Sequence, residues 1–398
     1  MRQLLNRTGM LRSMRLFGLL AIFGLMGAIA LPACSPEPPL HLYDPHKVNF
    51  DIPIIDLDLK VYWNYDLSLG IDYDWEAEWH YGWDEEDRRV FGELGYTEPS
   101  VFNLRRYYTG DQPQAPHSSV LADQVEGNHF QGSYEWGFWD ILVWNEITTL
   151  DGVQSLIFDE QSSLDSVTAR TNASMRPARY HAPRYTNAFY EPEPLFTAYD
   201  EDIEVNADLT GFIFDPERNA YVKKLDMLLH PITYIYLTQV ILHHNNGRIA
   251  AVDGSASLSG MARYTCLNSG TAGNDAIAVS YNVRLKKGCP WHNETVDIVG
   301  GRLMTFGICG LTANTVTRAD EVRDPNRHYM DMAMQFNNGM DSTFVFDVTQ
   351  QVRHRYKGGV ITVELDMDTV PIPTRRGGSG FNAVVEDFQD GGTHEFEM

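Results

Sequence analysis

The 398-residue sequence predicts an all-β fold built from β-sandwich domains. Polar and apolar residues alternate along several stretches, long amphipathic helical patterns are scarce, and turn residues separate short strands. Hydrophobic residues make up 43% of the chain and aromatic residues 12%, which argues against intrinsic disorder. Roughly 365 residues follow the N-terminal leader, which is enough for two domains of ordinary size.

The N-terminal leader has the composition of a secretory signal. Four arginines and no acidic residue accompany an apolar run at 16–30. Leu31, Ala33 and Cys34 then fit the lipobox that lipoprotein signal peptidase recognises, although Pro32 is uncommon inside it. The sequence therefore predicts a lipid attached to the Cys34 thiol, which would hold the chain on a bilayer. The alternative is an ordinary signal peptide followed by an incidental cysteine.

The charge balance is strongly acidic. The whole chain has 31 basic and 54 acidic residues, and removal of the leader leaves 27 basic residues and a formal charge of −27. Such a surface repels nucleic acid and anionic lipid. We therefore expect no nucleic-acid partner, and membrane attachment only through the N-terminal lipid.

Individual strands follow from the alternation. Apolar residues occupy every second position in 56–65, 343–349 and 358–367, which predicts half-buried strands. Residues 134–147 form an aromatic strand, and a further strand begins near Ile203. The apolar stretch 234–244 runs into Asn246 and Gly247, the favoured pair for a tight hairpin turn, so 248–259 is predicted as its return strand.

Composition also predicts the domain organisation. A signal peptide at 1–33 precedes a proline-rich spacer at 34–47, which we expect to be stiff and extended. A Ser/Thr-rich stretch and a basic island interrupt the strand pattern before residue 193. We therefore predict an N-terminal β-sandwich domain at 48–192 and a C-terminal one at 193–398, closed by a strand near 381–385.

Candidate binding residues are few. Trp75, Trp79 and Trp83 lie beside the acidic run 84–87, and together they could bind a glycan by ring stacking. The commoner interpretation is a solvated acidic loop with its tryptophans turned inward. His243 and His244 are adjacent on a strand and should face opposite sides, so we predict no shared metal.

No catalytic motif was found, which favours a non-enzymatic protein without a cofactor. There is no nucleophile-elbow serine, no phosphate-binding glycine loop and no zinc-ligand spacing. Cys266, Cys289 and Cys309 follow no disulfide pattern, and whether two of them pair is left open.

The arrangement resembles a known family. The lipobox and spacer are followed by strand and turn pieces at 132–134, 144–145, 258–262, 305–307 and 346–349. Together they are similar to Bacteroidetes lipoproteins grouped with the FimB-type fimbrial anchors. The resemblance implies two tandem transthyretin-like Greek-key β-sandwiches, a place on the outer-membrane surface, and fimbrial subunits as partners. It further implies a role in adhesion as an anchor or accessory subunit of type V fimbriae. A surface lipoprotein without a pilus, or a glycan-binding lipoprotein of a nutrient-uptake system, are the alternatives.

One sequence feature discriminates between roles within this family. Shaft pilins of this kind are matured by an arginine-specific protease that cuts ahead of the first domain or after its first strand. This chain has no arginine between Cys34 and Arg88. The lipid and the first strand should therefore be retained, which suits an anchor better than a polymerising subunit.

We predict that Cys34→Ala leaves unprocessed precursor and abolishes partitioning into detergent, because the thiol that carries the lipid is lost. Labelling of cells with a radioactive fatty acid checks this. Equal labelling of the wild type and the variant would contradict lipidation at Cys34.

Overall fold

The computed structural model describes residues 55–147, 149–150, 153–160, 167–172, 188–206, 208–310, 326–373 and 382–385. The predicted all-β class is confirmed: strands dominate, and the described part contains two short helices. The predicted signal peptide, Cys34, the predicted spacer and the basic island lie outside the described residues.

The strands and helices have the following bounds. The first part of the chain contains α1 (Glu85–Phe91) and the strands β1 (Asp56–Tyr65), β2 (Val101–Gly110), β3 (Ser119–Glu126), β4 (His129–Ser133), β5 (Gly137–Asn145), β6 (Thr149–Leu150), β7 (Val153–Gln154), β8 (Leu156–Asp159), β9 (Thr168–Thr171), β10 (Ala188–Tyr190), β11 (Phe196–Val205), β12 (Phe212–Asp215) and β13 (Ala220–Pro231). The remainder contains α2 (Thr349–His354) and the strands β14 (Tyr234–His243), β15 (Ile249–Ala262), β16 (Tyr264–Cys266), β17 (Ala276–Asn282), β18 (Arg284–Trp291), β19 (Glu294–Thr305), β20 (Tyr329–Phe336), β21 (Asp341–Asp347), β22 (Gly359–Asp366) and β23 (Asn382–Val385).

The largest sheet has the strand order β3-β2-β5-β11-β13-β1-β4, with β12 attached to β13. The buried side chains form two hydrophobic cores. Strand β1 has the predicted bounds and alternation, since Leu59, Val61 and Trp63 are buried in one of them, which we call the first core. Asp58 departs from the predicted wet face because it is fully buried. It accepts a hydrogen bond from Ser133 and pairs with Arg218 at 2.9 Å, so the buried charge is compensated.

A four-stranded central sheet, β18-β19-β14-β22, contributes side chains to both hydrophobic cores. From β14 the first core receives Ile235, Leu237 and Ile241, and the second core receives Tyr236, Val240 and Leu242. Burial on both faces explains why β14 has consecutive apolar residues on either side of Thr238 and Gln239 rather than an alternating pattern.

The second core is covered by a six-stranded sheet of order β10-β17-β15-β20-β21-β23. The predicted closing strand is present as β23, which pairs in parallel with β21 from Thr343↔Asn382 to Phe346↔Val385. This strand therefore pairs within its own chain. Two smaller sheets, β16-β9-β8 and β6-β7, complete the described strands.

The predicted hairpin at 246–247 is wrong. Asn246 and Gly247 do adopt positive φ, at 44° and 76°, as the turn residues require. However, β14 pairs with β19 and β22, whereas β15 pairs with β17 and β20, so the turn joins two different sheets. The buried Asn245 side chain stabilises this crossing, because it accepts from the Ile249 N–H and donates to Asp297.

Two predicted strand boundaries also differ. Strand β11 begins at Phe196 rather than near Ile203, because an irregularity between Asp200 and Ile203 hides its alternation. The strand predicted to reach Thr349 ends at Asp347, whose carboxylate accepts the Thr349 N–H and turns the chain into α2.

The division into domains at residue 192 stays a prediction. Strand β11 pairs with β5, and β13 pairs with β1, so the largest sheet contains strands from both sides of that position. None of the three cysteines in the described residues, Cys266, Cys289 and Cys309, forms a disulfide bond.

We predict that deleting residues 377–398 lowers the melting temperature by several degrees, because β21 loses a paired edge and its backbone hydrogen bonds. The matched control deletes only 386–398 and keeps β23. Differential scanning calorimetry compares the two truncations. Identical melting temperatures would show that β23 contributes nothing to stability.

Candidate functional site

The three tryptophans predicted as a weak binding surface lie in or beside the first core. Trp79 is buried, and Trp75 and Trp83 are half-buried. Trp79 packs against Tyr81 at a tilt of 55°, whereas the Trp83 indole N–H donates to the Gly92 carbonyl. The rings therefore contact the protein itself, in agreement with the inward alternative. A glycan-binding role for them stays an untested prediction.

The acidic run beside the tryptophans begins a helix rather than a solvated loop. Asp84 caps α1 and accepts the Asp87 N–H, while the Asp87 carboxylate accepts the Asp84 N–H in return. This reciprocal pair is a capping box. Glu85 and Glu86 are exposed, but Asp87 is fully buried.

Asp87 is the centre of a buried ionic cluster. Its two carboxylate oxygens lie 2.8 Å from Arg284 Nη2 and 2.5 Å from Lys286 Nζ, both on edge strand β18. The Tyr81 hydroxyl donates to it at 2.8 Å, and the Lys286 ammonium lies 4.0 Å from the centre of the Tyr81 ring. Burial raises the pKa of Tyr81, so its phenol stays protonated and remains a donor.

Asp84 shares these cations at the surface. Its carboxylate lies 2.7 Å from Arg284 and 3.0 Å from Lys286. Partial burial raises the pKa of Asp84, but the Asp87 N–H and the Lys286 ammonium outweigh that effect and lower it. Both carboxylates are thus bound by the same two basic residues about 200 positions further along the chain.

The buried Gln239 attaches residues 78–81 to the middle of the central sheet. Gln239 on β14 accepts the backbone N–H groups of His80 and Tyr81 at 2.9 and 3.1 Å. Its amide donates to the Glu78 carbonyl at 2.7 Å and to Thr362 Oγ1 on β22 at 2.9 Å. All hydrogen-bonding atoms of this fully buried side chain are therefore satisfied.

A second group of contacts lies beside β22, at the edge of the central sheet opposite β18. Arg355 lies 2.6 Å from Glu78 and 5.0 Å from the centre of the Tyr73 ring, and the Tyr73 hydroxyl accepts the Val360 N–H. Residues 66–98, which we call the clasp segment, are thus held to the central sheet from β18 to β22. The described contacts give this segment a structural role and no catalytic arrangement.

The clasp segment follows β1, whose position bears on release of the N-terminus. Strand β1 pairs with β13 in parallel over all ten of its residues and with β4 in antiparallel over five. It is therefore an internal strand with partners on both sides. Leu59 and Val61 are fully buried. Removal of β1 would expose the first core.

The histidine pair lies at the end of β14. His243 has Nδ1 3.0 Å from Glu294 and Nε2 2.9 Å from Glu364, whereas His244 Nδ1 lies 2.9 Å from Asp366. The hydrogen bond to Asp366 raises the pKa of His244. The two imidazoles thus have different carboxylate partners, and their ring centres are 6.5 Å apart.

An open cleft of about 830 Å³ lies where β11 and β13 separate. Among the described residues these strands pair only at Phe196↔Pro231 and Thr197↔His230. The lining is mixed in charge and polarity, with Tyr96, Asp200, Asp226, His230 and Lys357 among its residues. Asp226 forms an ion pair with Lys224 at 2.9 Å, and burial raises the pKa of Asp200. No sequence pattern predicts this cleft.

Comparisons with known proteins yield structural neighbours only. No protein-family model and no curated protein sequence matches the chain. A candidate adhesin from Bacteroides ovatus is 13% identical, with 80% of this chain and 95% of that chain covered and a TM-score of 0.44. A second candidate adhesin, from Bacteroides thetaiotaomicron, is 10% identical over 79% and 92% of the chains, with a TM-score of 0.41.

A fimbrial protein is also among the structural neighbours. The fimbrial anchor protein Mfa2 from Porphyromonas gingivalis is 11% identical over 85% of this chain and 95% of its own, with a TM-score of 0.34. Within the described residues no helix is long and apolar enough to cross a membrane.

We predict that Asp87→Asn lowers the free energy of unfolding by about 3 kcal/mol, because Arg284 and Lys286 lose their buried counter-charge. The control Glu85→Gln changes an exposed carboxylate in the same helix and should leave the urea midpoint unchanged. Urea unfolding followed by tryptophan fluorescence measures both variants. An Asp87→Asn variant as stable as the control would rule out the ionic cluster as a stabilising contact.

Proposed function

We propose that this chain is a non-enzymatic lipoprotein of the outer-membrane surface that anchors or assists fimbriae in adhesion. The observation that carries the proposal is the arginine-free stretch between Cys34 and Arg88, which includes a first strand paired on both sides. A chain of this kind keeps both its lipid and its first strand.

The lipid part of the proposal is supported by the leader. An arginine-rich start, an apolar run and the box ending at Cys34 follow one another in the order that lipoprotein export requires. Two or three acyl chains bury enough methylene groups for stable anchoring. The acidic surface would then face away from anionic headgroups, because like charges repel.

The anchor role is supported by the position of the first arginines that a protease could cleave after. In the family that the sequence resembles, subunits polymerise after an arginine-specific cut frees the lipid. The first candidate residues after Cys34 are Arg88 and Arg89, which lie in α1 directly after the buried Asp87. Cleavage there requires an extended backbone and therefore the unfolding of this helix. The lipid remains joined to the folded body by the uncut chain.

The glycan-binding alternative has less support. It depends on exposed rings at Trp75, Trp79 and Trp83, and Trp79 is buried. A surface lipoprotein without a pilus shares every residue used above and differs only in its partner. Lipid retention and fimbrial anchoring can be tested separately.

We predict that an arginine-specific protease leaves the wild-type chain in the membrane fraction of whole cells, whereas Leu42→Arg releases the body into the medium. The new arginine lies between Cys34 and β1, so one cut there separates the lipid from the fold. Leu42→Lys is the matched control, since it adds the same charge without the cleavage site. Release of the wild-type chain would contradict lipid retention.

A separate prediction concerns the attachment of fimbriae to the cell. Cells that lack this chain, and cells that carry Cys34→Ala, should shed fimbriae into the medium, because the fimbrial base loses its lipid. Quantitative immunoblotting of fimbrial subunits in cells and medium measures the shift. Fimbriae that stay cell-bound in both strains would exclude the anchor role while leaving the lipoprotein assignment intact.

A further inference from the structure

Three potential metal ligands converge at one end of the central sheet. His244, Asp366 and Asp368 each offer one ligand atom, and these three atoms lie within 4.8 Å of one another. The imidazole nitrogen is 2.9 Å from the Asp366 oxygen and 3.9 Å from the Asp368 oxygen. All three side chains are exposed, so an ion can reach them from solvent.

The fold brings these residues together from distant parts of the sequence. Strands β14 and β22 are parallel neighbours, and His243 is paired with Asp366 in their register. His244 follows with φ of 51°, which takes it out of the strand direction. Asp366 Oδ1 also accepts the Asp368 N–H at 3.0 Å, so the two carboxylates belong to one turn. This placement depends on strand pairing and is invisible in the sequence pattern.

The charges around the three ligands favour a cation. Glu294 and Glu364 flank the cluster through their contacts with His243. Among the ion pairs of the described residues, the Arg248 guanidinium is the arginine or lysine group that contacts the cluster, with Nη1 3.4 Å from Asp368 Oδ1. That contact uses the carboxylate oxygen opposite the one directed towards His244. Asp368 Oδ2 therefore stays available while Oδ1 binds the guanidinium.

The geometry points to a binding site for a divalent transition-metal ion of the zinc type, with His244, Asp366 and Asp368 as its protein ligands. One imidazole nitrogen and two carboxylate oxygens are a donor set that zinc accepts, at about 2.0–2.2 Å from each atom. The imidazole distinguishes this site from the all-oxygen sites that Ca²⁺ and Mg²⁺ prefer. Three ligand atoms this close need only small side-chain rotations to surround one ion. Water or a partner side chain would complete the coordination.

The test is isothermal titration of zinc chloride into the detergent-solubilised full chain. We expect one saturable site per chain, and at least a tenfold loss of affinity in both His244→Ala and Asp368→Asn. His243→Ala is the matched control, because it removes the neighbouring imidazole and leaves the three ligands in place. Its affinity should stay within about twofold of the wild type. Circular dichroism establishes that each variant is folded.

Cobalt substitution gives a second readout. Co²⁺ bound through an imidazole nitrogen should produce visible absorption in the wild type that is absent in His244→Ala. Calcium and magnesium should compete poorly with zinc. The proposal is overturned if zinc binding is not saturable, if His244→Ala and Asp368→Asn bind as the wild type does, if His243→Ala alone abolishes binding, or if calcium displaces zinc at equal concentration.

Discussion

The central sheet has to bury both of its faces, and the rest of the structure depends on that constraint. Side chains from β14 enter both hydrophobic cores, and fully buried side chains line most of this strand. Any polar group here needs an internal partner, because water cannot reach it. Gln239 meets this condition through four hydrogen bonds, two of them to backbone N–H groups of the clasp segment. The Gln239 side chain thereby has all of its hydrogen-bonding atoms paired, and it also attaches the clasp segment to the central sheet.

This attachment connects the N-terminal part of the chain to its centre. Strand β1 is fixed by two neighbouring strands, and the clasp segment that follows it is bound by Arg284, Lys286 and Arg355. Force applied to an N-terminal lipid would therefore be shared by β1 and the central sheet rather than by one exposed strand. This arrangement supports the proposal that the chain stays joined to an N-terminal lipid.

For strands with one wet face, the sequence predicts both the strand and the residues that face the core, whereas for the doubly buried β14 it predicts only the strand. Strands β1 and β22 show a clear period of two in the sequence, and their bounds agree with the prediction to within a residue or two. Burial on two faces removes that period from β14, so its neighbours could not be inferred. The turn residues Asn246 and Gly247 were correct for local conformation, yet core packing decided which sheets they join.

In the candidate site, too, some contacts join residues close in sequence and others join residues far apart in sequence. The capping pattern from Asp84 to Asp87 is local and could have indicated a helix, but the partners of Asp87 lie about 200 residues away in sequence. Likewise, the convergence of His244 with Asp366 and Asp368 requires the parallel pairing of β14 with β22. The prediction of lipidation at Cys34, by contrast, rests on a local sequence motif alone.

We propose that the folded body and the lipid remain one uncut chain. Intact mass spectrometry of the protein purified from the membrane fraction of its own cells tests this most directly. We expect one species that begins with an acylated Cys34 and includes β1 and the clasp segment. A species without a lipid, or one whose first residue follows Arg88 or Arg89, would contradict it.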